Sequence, residues 1–329
     1  MKLPAHILTG PFYLTRAAVP LFCHILTFNL GVPMTQPTAI DGNLTKGQFN
    51  QGTLYVVATP IGNLGDITQR AQQVLSEVDV LLAEDTRHTK RLMEHLGLRV
   101  PLESLHEHNE RQRVDQIVGK LAAGERVALV SDAGTPLISD PGYHLVTAVR
   151  EQGYKVVPVP GASALTTALS VAGLPTDRFI FEGFLPSKGQ VRLDRLEALR
   201  TETRTLVFYE APHRALMALE QMSEVFGEQR RAVVCRELTK TFETIQQGSL
   251  ADLKVWMAED HNQQKGEFVL VVAGADKVDK QGDLTSEDEH LLRTLAAELP
   301  LKQAAKLSAS ITGKAKKSFY NFGLSLNDH

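Results

Sequence analysis

From Thr53 onward the chain alternates short apolar runs with amphipathic stretches, and this alternation constrains the fold more than any other feature. Runs of that kind suit strands buried on both faces and the helical stretches supply the cover, so an α/β architecture on a parallel sheet is expected. Thr53 to Ala58 and Val80 to Ala83 read as strands, with Ile67, Ala71, Val74, Leu75 and Val78 at helical spacing between them. His88 to Leu96 reads as a helix stopped by Gly97. Asn109, with Gln112 three residues on, predicts a capped helix whose buried stripe is Val114, Ile117, Val118 and Leu121. Val127 to Val130 and Val156 to Val159 follow as strands, and Ala162 to Ala172 closes this first unit as a helix of small residues. Gly173-Leu174-Pro175 marks the break to a second unit.

The second unit repeats the alternation with more β-branched and aromatic residues. Phe179 to Phe184, Thr205 to Tyr209, Ala232 to Arg236 and Phe268 to Ala273 read as strands, and Gln190 to Leu199 and His213 to Phe226 as helices. Farther on, Ser286 to Leu299 and Leu301 to Gly313 read as helices, and Lys314 to Phe322 is basic with interleaved aromatic residues. The expected organisation is a leader and polar tail over 1–51, an N-terminal α/β domain over 52–172, a second over 173–280, and a small basic helical module over 285–329.

The 329 residues, 43% hydrophobic and 22% charged, have the composition of a globular protein and exclude collagen-like or wholly disordered chains. A formal net charge of -3 means that a nucleic-acid partner has to meet a local basic patch. Cys23 and Cys235 lie far apart, which indicates no disulfide framework and fits a reducing, cytoplasmic location. Ala17 to Leu30 is apolar, but Pro20, His24 and Asn29 interrupt it and it is too short to span a bilayer. The expected start of translation is Met34, which removes the leader and leaves Thr35 to Gln51 as a polar tail of the kind usually disordered.

Four loops at strand ends carry the chemistry. Val130-Ser131-Asp132-Ala133-Gly134-Thr135-Pro136-Leu137-Ile138-Ser139-Asp140-Pro141-Gly142 is longer and more polar than a bare crossover needs, which points to a ligand site at the carboxyl end of a sheet strand. Within it, Asp140 and Pro141 read as an N-cap and first helical residue. Thr59-Pro60-Ile61-Gly62-Asn63-Leu64-Gly65-Asp66 lacks the G-x-G-x-x-G of a dinucleotide fold, and Pro60 removes a donor from the turn that would cradle phosphate. Glu84-Asp85 ends the second strand about twenty residues later, where such a fold binds ribose, so a nucleotide reading survives weakly. Pro158 to Ala164 starts a helix with residues too small to obstruct a ligand, and Tyr209-Glu210-Ala211-Pro212-His213-Arg214 gathers an acid, an imidazole and a guanidinium at one turn. Lys302, Lys306, Lys314, Lys316 and Lys317 follow one another without an intervening acid, as a nucleic-acid foot or as a solvated tail.

These loops, with Leu82-Ala83-Glu84-Asp85-Thr86-Arg87-His88-Thr89, Phe181-Glu182-Gly183-Phe184-Leu185-Pro186 and Arg236-Glu237-Leu238-Thr239-Lys240, resemble the tetrapyrrole methylase superfamily. The closer resemblance is to its bacterial branch that methylates small-subunit ribosomal RNA. It runs from about Thr53 to Ala275 and includes the lysine-rich C-terminal module; only the leader before Met34 departs from it. The resemblance implies two α/β domains with a cofactor cleft between them. It implies S-adenosylmethionine as cofactor, transfer of its methyl group to a cytidine 2′-hydroxyl of 16S ribosomal RNA or the assembled small subunit, and a homodimer. The matching cofactor positions are Pro60, Asp132, Ala133, Gly134, Thr135, Pro136, Ser139, Ser163, Ala164 and Tyr209, with Glu210 at the same strand end.

Methyl transfer asks mainly for alignment, but a ribose hydroxyl is a poor nucleophile and needs a proton acceptor. Glu84, Asp85, His88 and Glu210 are candidates; Asp85 is the first choice and Glu210 the second catalytic candidate. Arg87 and Arg214 are expected to hold RNA phosphates, with Lys314, Lys316 and Lys317 adding contacts from the C-terminal module, and no metal is expected. Three other readings remain: a methyltransferase for a porphyrin-like small molecule, a non-enzymatic ribosome-binding factor, and, most distant, a nicotinamide dehydrogenase.

Overall fold

The computed structural model describes residues 52–276 and 284–325; the expected start at Met34 and the polar tail lie outside them. The first sheet is built from β1 (Thr53–Val57), β2 (Val80–Ala83), β3 (Leu102–Ser104), β4 (Arg126–Val130) and β5 (Lys155–Val159), in the order β3-β2-β4-β1-β5. All its pairings are parallel. Alternate residues of each central strand feed opposite cores. Leu54, Leu82, Val127 and Leu129 pack beneath α3 (Glu110–Ala122) and α4 (Tyr143–Glu151). Tyr55, Leu81, Ala128 and Val130 pack beneath α1 (Gln69–Glu77) and α2 (Thr86–His95). Pro158 is tolerated because β5 is an edge strand.

The second sheet contains β6 (Phe179–Phe184), β7 (Thr205–Glu210), β8 (Arg231–Arg236), β9 (Thr244–Ser249) and β10 (Phe268–Val272), in the order β6-β7-β10-β8-β9. Only β6 and β7 run parallel; β10 is antiparallel to both its neighbours and β8 is antiparallel to β9. The sheet is therefore mixed rather than the simple repetition of the first. One face carries α6 (Gly189–Leu199), α7 (Pro212–Phe226) and α8 (Leu250–Glu259). The other is covered by α5 (Ala164–Val171), whose Ala168 and Leu169 pack among Val207, Val233, Cys235 and Val269. The helix expected to close the first unit thus buries its apolar face on the second sheet.

Three helices complete the described chain: α9 (Ser286–Glu298), α10 (Leu301–Thr312) and α11 (Lys316–Ser325). They enclose a small core of Leu292, Ala304, Ala305 and Phe319. Thr285 and Asp288 form a reciprocal capping box at the start of α9. Gly323 lets α11 approach α10 closely, since a Cβ there would stand 2.1 Å from Leu301 Cδ1.

Candidate active site

The strand-end loops converge on a cavity of about 460 Å³. The first staple is backbone: Thr59 N–H donates to Gly134 C=O at 2.8 Å, and Gly134 N–H returns a bond to Thr59 C=O at 3.1 Å. This fixes the loop after β1 against the loop after β4. Gly134 holds φ at +84°, and a Cβ there would stand 3.3 Å from Ile61 Cγ2. The second staple crosses between sheets, where Leu165 N–H at the start of α5 donates to the Tyr209 hydroxyl at 3.0 Å. Tyr209 also meets Phe181 and Phe184 edge to face, with centroids 4.9 and 5.7 Å away.

Asp132, Ala133, Gly134, Thr135, Ser139, Ser163, Ala164, Tyr209 and Glu210 all line this cavity. Pro60 and Pro136 are buried and are not among the lining residues. Sequence reasoning did not place Phe184, Asp140, Cys235 or Glu267 in the site, although all four face it. Five carboxylates line the cavity, those of Glu84, Asp132, Asp140, Glu210 and Glu267, and no lysine, arginine or histidine does. Cys235 is inert there, because burial pushes its thiol up to about 12.

Asp140 is the main departure from expectation. The helix it was expected to cap begins only at Tyr143, with Gly142 at the N-cap position and no side-chain cap bond. Glu110, buried in α3, does that work instead: its Oε1 accepts from Leu145 N–H at 2.9 Å. Leu137 and Ser139 adopt left-handed φ values of 71° and 68°, strain of about 1–3 kcal/mol per residue that turns the loop toward the cavity. Burial pushes the Asp140 carboxyl up to about 6, against a hydrogen bond from Ser131 and with the neighbouring charges of Glu84 and Asp132 adding to the rise. Glu84 is raised as well, by burial and then by Asp132.

Asp85 behaves differently. It caps α2 through Arg87 N–H at 2.8 Å, and the Arg87 guanidinium grips both its oxygens. That hydrogen bonding holds the Asp85 carboxyl well below the usual carboxylate range, and Asp85 is not among the lining residues. These contacts are those of a helix cap, and the proton-acceptor role expected of it finds no support in them. Asp85 N–H does donate to Asp132 Oδ1 at 2.9 Å, so the turn positions a carboxylate that reaches the cavity.

Glu210 ends β7 with its side chain fully buried. Its Oε2 accepts from Arg214 Nη2 at 2.7 Å and from Ala211 N–H at 2.9 Å, while its Oε1 has no partner. A buried carboxylate oxygen left bare is costly, so this atom calls for a donor from a ligand.

A family model of tetrapyrrole (corrin/porphyrin) methylases matches residues 53–254. The chain belongs to the tetrapyrrole methylase family. A second model, the RsmI C-terminal HTH domain, matches residues 282–327. Ribosomal RNA small subunit methyltransferase I of Pseudomonas aeruginosa is 56% identical over 276 residues, covering 84% of this chain and 98% of that protein. The enzyme of the same name from Escherichia coli O157:H7 is 53% identical over 275 residues, 84% of this chain and 96% of that protein. Among solved structures, diphthine synthase superposes with a TM-score of 0.53 at 16% identity, over 68% of this chain and 90% of that one, a likeness of fold alone.

Within this methylase frame the basic residues divide. Arg87 stands out in solvent with its side chain 89% exposed, and Lys316 and Lys317 are exposed at the start of α11. Arg214 turns inward to Glu210 and is not presented to a phosphate. Lys314 is tied to Asp288, joining α9 to the turn before α11. No group of metal-ligating side chains occurs among the described residues, and no helix among them is long and apolar enough to cross a membrane.

Proposed function

We propose that the chain methylates small-subunit ribosomal RNA, taking the methyl group from S-adenosylmethionine and placing it on a cytidine 2′-hydroxyl. The observation that carries this reading is the match to relatives of that name over nearly their whole length, methylase part and C-terminal helical part together. The cavity suits the methyl donor. Five carboxylates favour a ligand with cationic groups and disfavour the phosphates of a dinucleotide, which argues against the dehydrogenase reading. The unpartnered Oε1 of Glu210 accepts a hydrogen bond from the ligand, and Gly134, Ala133 and Ala164 leave backbone groups open to it.

When bound, S-adenosylmethionine supplies a methyl carbon already activated by its sulfonium. The protein's own contribution is then to hold the ribose oxygen in line with that carbon, exclude water and receive a proton. Arg87, Lys316 and Lys317 are the exposed cations proposed to meet RNA phosphates. A cytoplasmic location and a homodimer complete the proposal, the dimer resting on the family resemblance and testable by sedimentation. Small subunits from a strain lacking the protein are incubated with labelled S-adenosylmethionine and digested to nucleosides. Label in 2′-O-methylcytidine is expected; label on a base, or none, refutes the reading.

A further inference from the structure

We propose that Asp140 is the carboxylate that receives the proton of the ribose hydroxyl during methyl transfer. The inference rests on the methyltransferase reading and deepens it. Asp140 is released from helix capping because Glu110 takes the Leu145 N–H, and left-handed backbone at Leu137 and Ser139 directs it to the cavity. Opposite stands Glu210, fully buried, with one oxygen bare and facing the same cavity. That second carboxylate marks the space as a ligand site and is already committed to Arg214. Asp140 carries no such ion pair. The groups that face it are the Ser131 hydroxyl and the carboxylates of Glu84 and Asp132, with Tyr209 across the cavity.

The step balances as follows. A bond forms between the ribose oxygen and the methyl carbon while that carbon's bond to sulfur breaks, its electron pair staying on sulfur. The hydroxyl proton passes to a carboxylate oxygen of Asp140, which returns it to solvent after the product leaves. Burial keeps Asp140 close to its neutral form near pH 6 in the free protein. A cationic donor entering the cavity favours the charged form, so binding below about pH 6 releases a proton and the base is ready when the methyl group is in place.

The test uses the whole protein and small subunits lacking the methyl group. In the free protein, carbon-13 NMR with the Asp140→Asn variant to identify the signal is expected to show a carboxyl titrating near 6. Calorimetry in buffers of different ionisation enthalpy is expected to show proton release on S-adenosylmethionine binding at pH 6, absent in D140N. Single-turnover methylation by D140N is expected to fall about 100-fold or more, the lower range for a lost general base, with cofactor affinity changed less than tenfold. The wild-type rate is expected to rise with pH to a plateau above about 6. A D140N rate within threefold of wild type overturns the proposal, as does an equal loss of rate and cofactor affinity, or a carboxyl titrating near 4. Failure of the methyltransferase reading looks different, because then the wild-type protein itself transfers no label to the subunit.

Discussion

Replacing Asp140 by Asn is expected to make the protein more stable at neutral pH while it slows the chemistry. An acid whose pKa is raised by folding is neutral in both states at low pH and penalises the native state once both are ionised. The Asp140 carboxyl moves from an ordinary 3.8 to about 6. Each pH unit is worth about 1.4 kcal/mol, which sets a ceiling of about 3 kcal/mol. Asp140 is only half-buried, and solvent screening reduces this to about 1.5 kcal/mol. Native stability is therefore lost as pH rises from about 4 to about 6, and the loss persists above that range. Asn retains an oxygen for the Ser131 hydroxyl and carries no charge to desolvate. Urea unfolding of both proteins at pH 7.5 and pH 4.5 isolates the effect, because the other acids cancel in the difference. D140N is expected to exceed wild type by about 1.5 kcal/mol at pH 7.5 and to match it at pH 4.5. A variant that is less stable at pH 7.5, or a difference independent of pH, refutes the electrostatic account of Asp140.

Three further outcomes follow from other contacts. Lys314→Ala removes the partner of the nearly buried Asp288 and is expected to destabilise the three-helix module by about 1–2 kcal/mol, read as faster amide exchange confined to α9, α10 and α11. The same pair holds Asp288 at about 2, so its stabilising effect persists above about 4 and disappears as pH falls through about 2; unchanged exchange at pH 2.5 would contradict it. Replacing Lys316 and Lys317 together by Ala is expected to leave stability intact and to flatten the dependence of log affinity for the small subunit on log salt by about 1 to 2, whereas an unaltered slope places the RNA elsewhere. Gly134→Ala forces a side chain onto φ +84° and into Ile61, so a stability loss of about 1–2 kcal/mol is expected together with roughly tenfold weaker cofactor binding. Calorimetry showing unchanged affinity would mean that the loop is not a wall of the site.

The first sheet was legible because its strands are apolar on both faces, and Val127 to Val130 is the clear case: alternate residues feed two helical layers. The second sheet was legible in its strands but not in their direction. Apolar periodicity reports burial, and β10 is as buried between antiparallel neighbours as β4 is between parallel ones. The edge strand β9, with the sequence TIQQGS, carries little apolar signal and was missed together with α8, although Ser249 and Asp252 form the capping box that starts that helix. Asp140 followed by Pro141 is a good capping signal that tertiary context overrode. Glu110 lies thirty residues away in sequence and has no local mark of its role. Arg214 shows the opposite failure, since a guanidinium at a strand end reads as a phosphate ligand until its burial against Glu210 is seen.

The helix α5 explains why the cavity depends on both sheets. Its chain enters from β5, so its N-terminus delivers Ser163 and Ala164 to the cavity beside the loop after β4. Its apolar face belongs to the second sheet, where Ala168, Leu169 and Ala172 fill the space over Val207, Val233 and Val269. Ile61, from the loop after β1, joins the same cluster. A fragment ending at Ala172 therefore keeps both helical layers of the first sheet but exposes α5 and Ile61 to water. At roughly 25 cal/mol per Å² of apolar surface, a few hundred Å² left uncovered costs several kcal/mol, a large part of a domain's net stability. Such a fragment spanning 52–172 is expected to bind no S-adenosylmethionine and to show unprotected amides in α5 by hydrogen exchange, even where β1, β2 and β4 remain protected. Protection of α5 in the fragment equal to that in the whole protein would show that the helix needs no second sheet, and the coupling argued from the Leu169 cluster would fall with it.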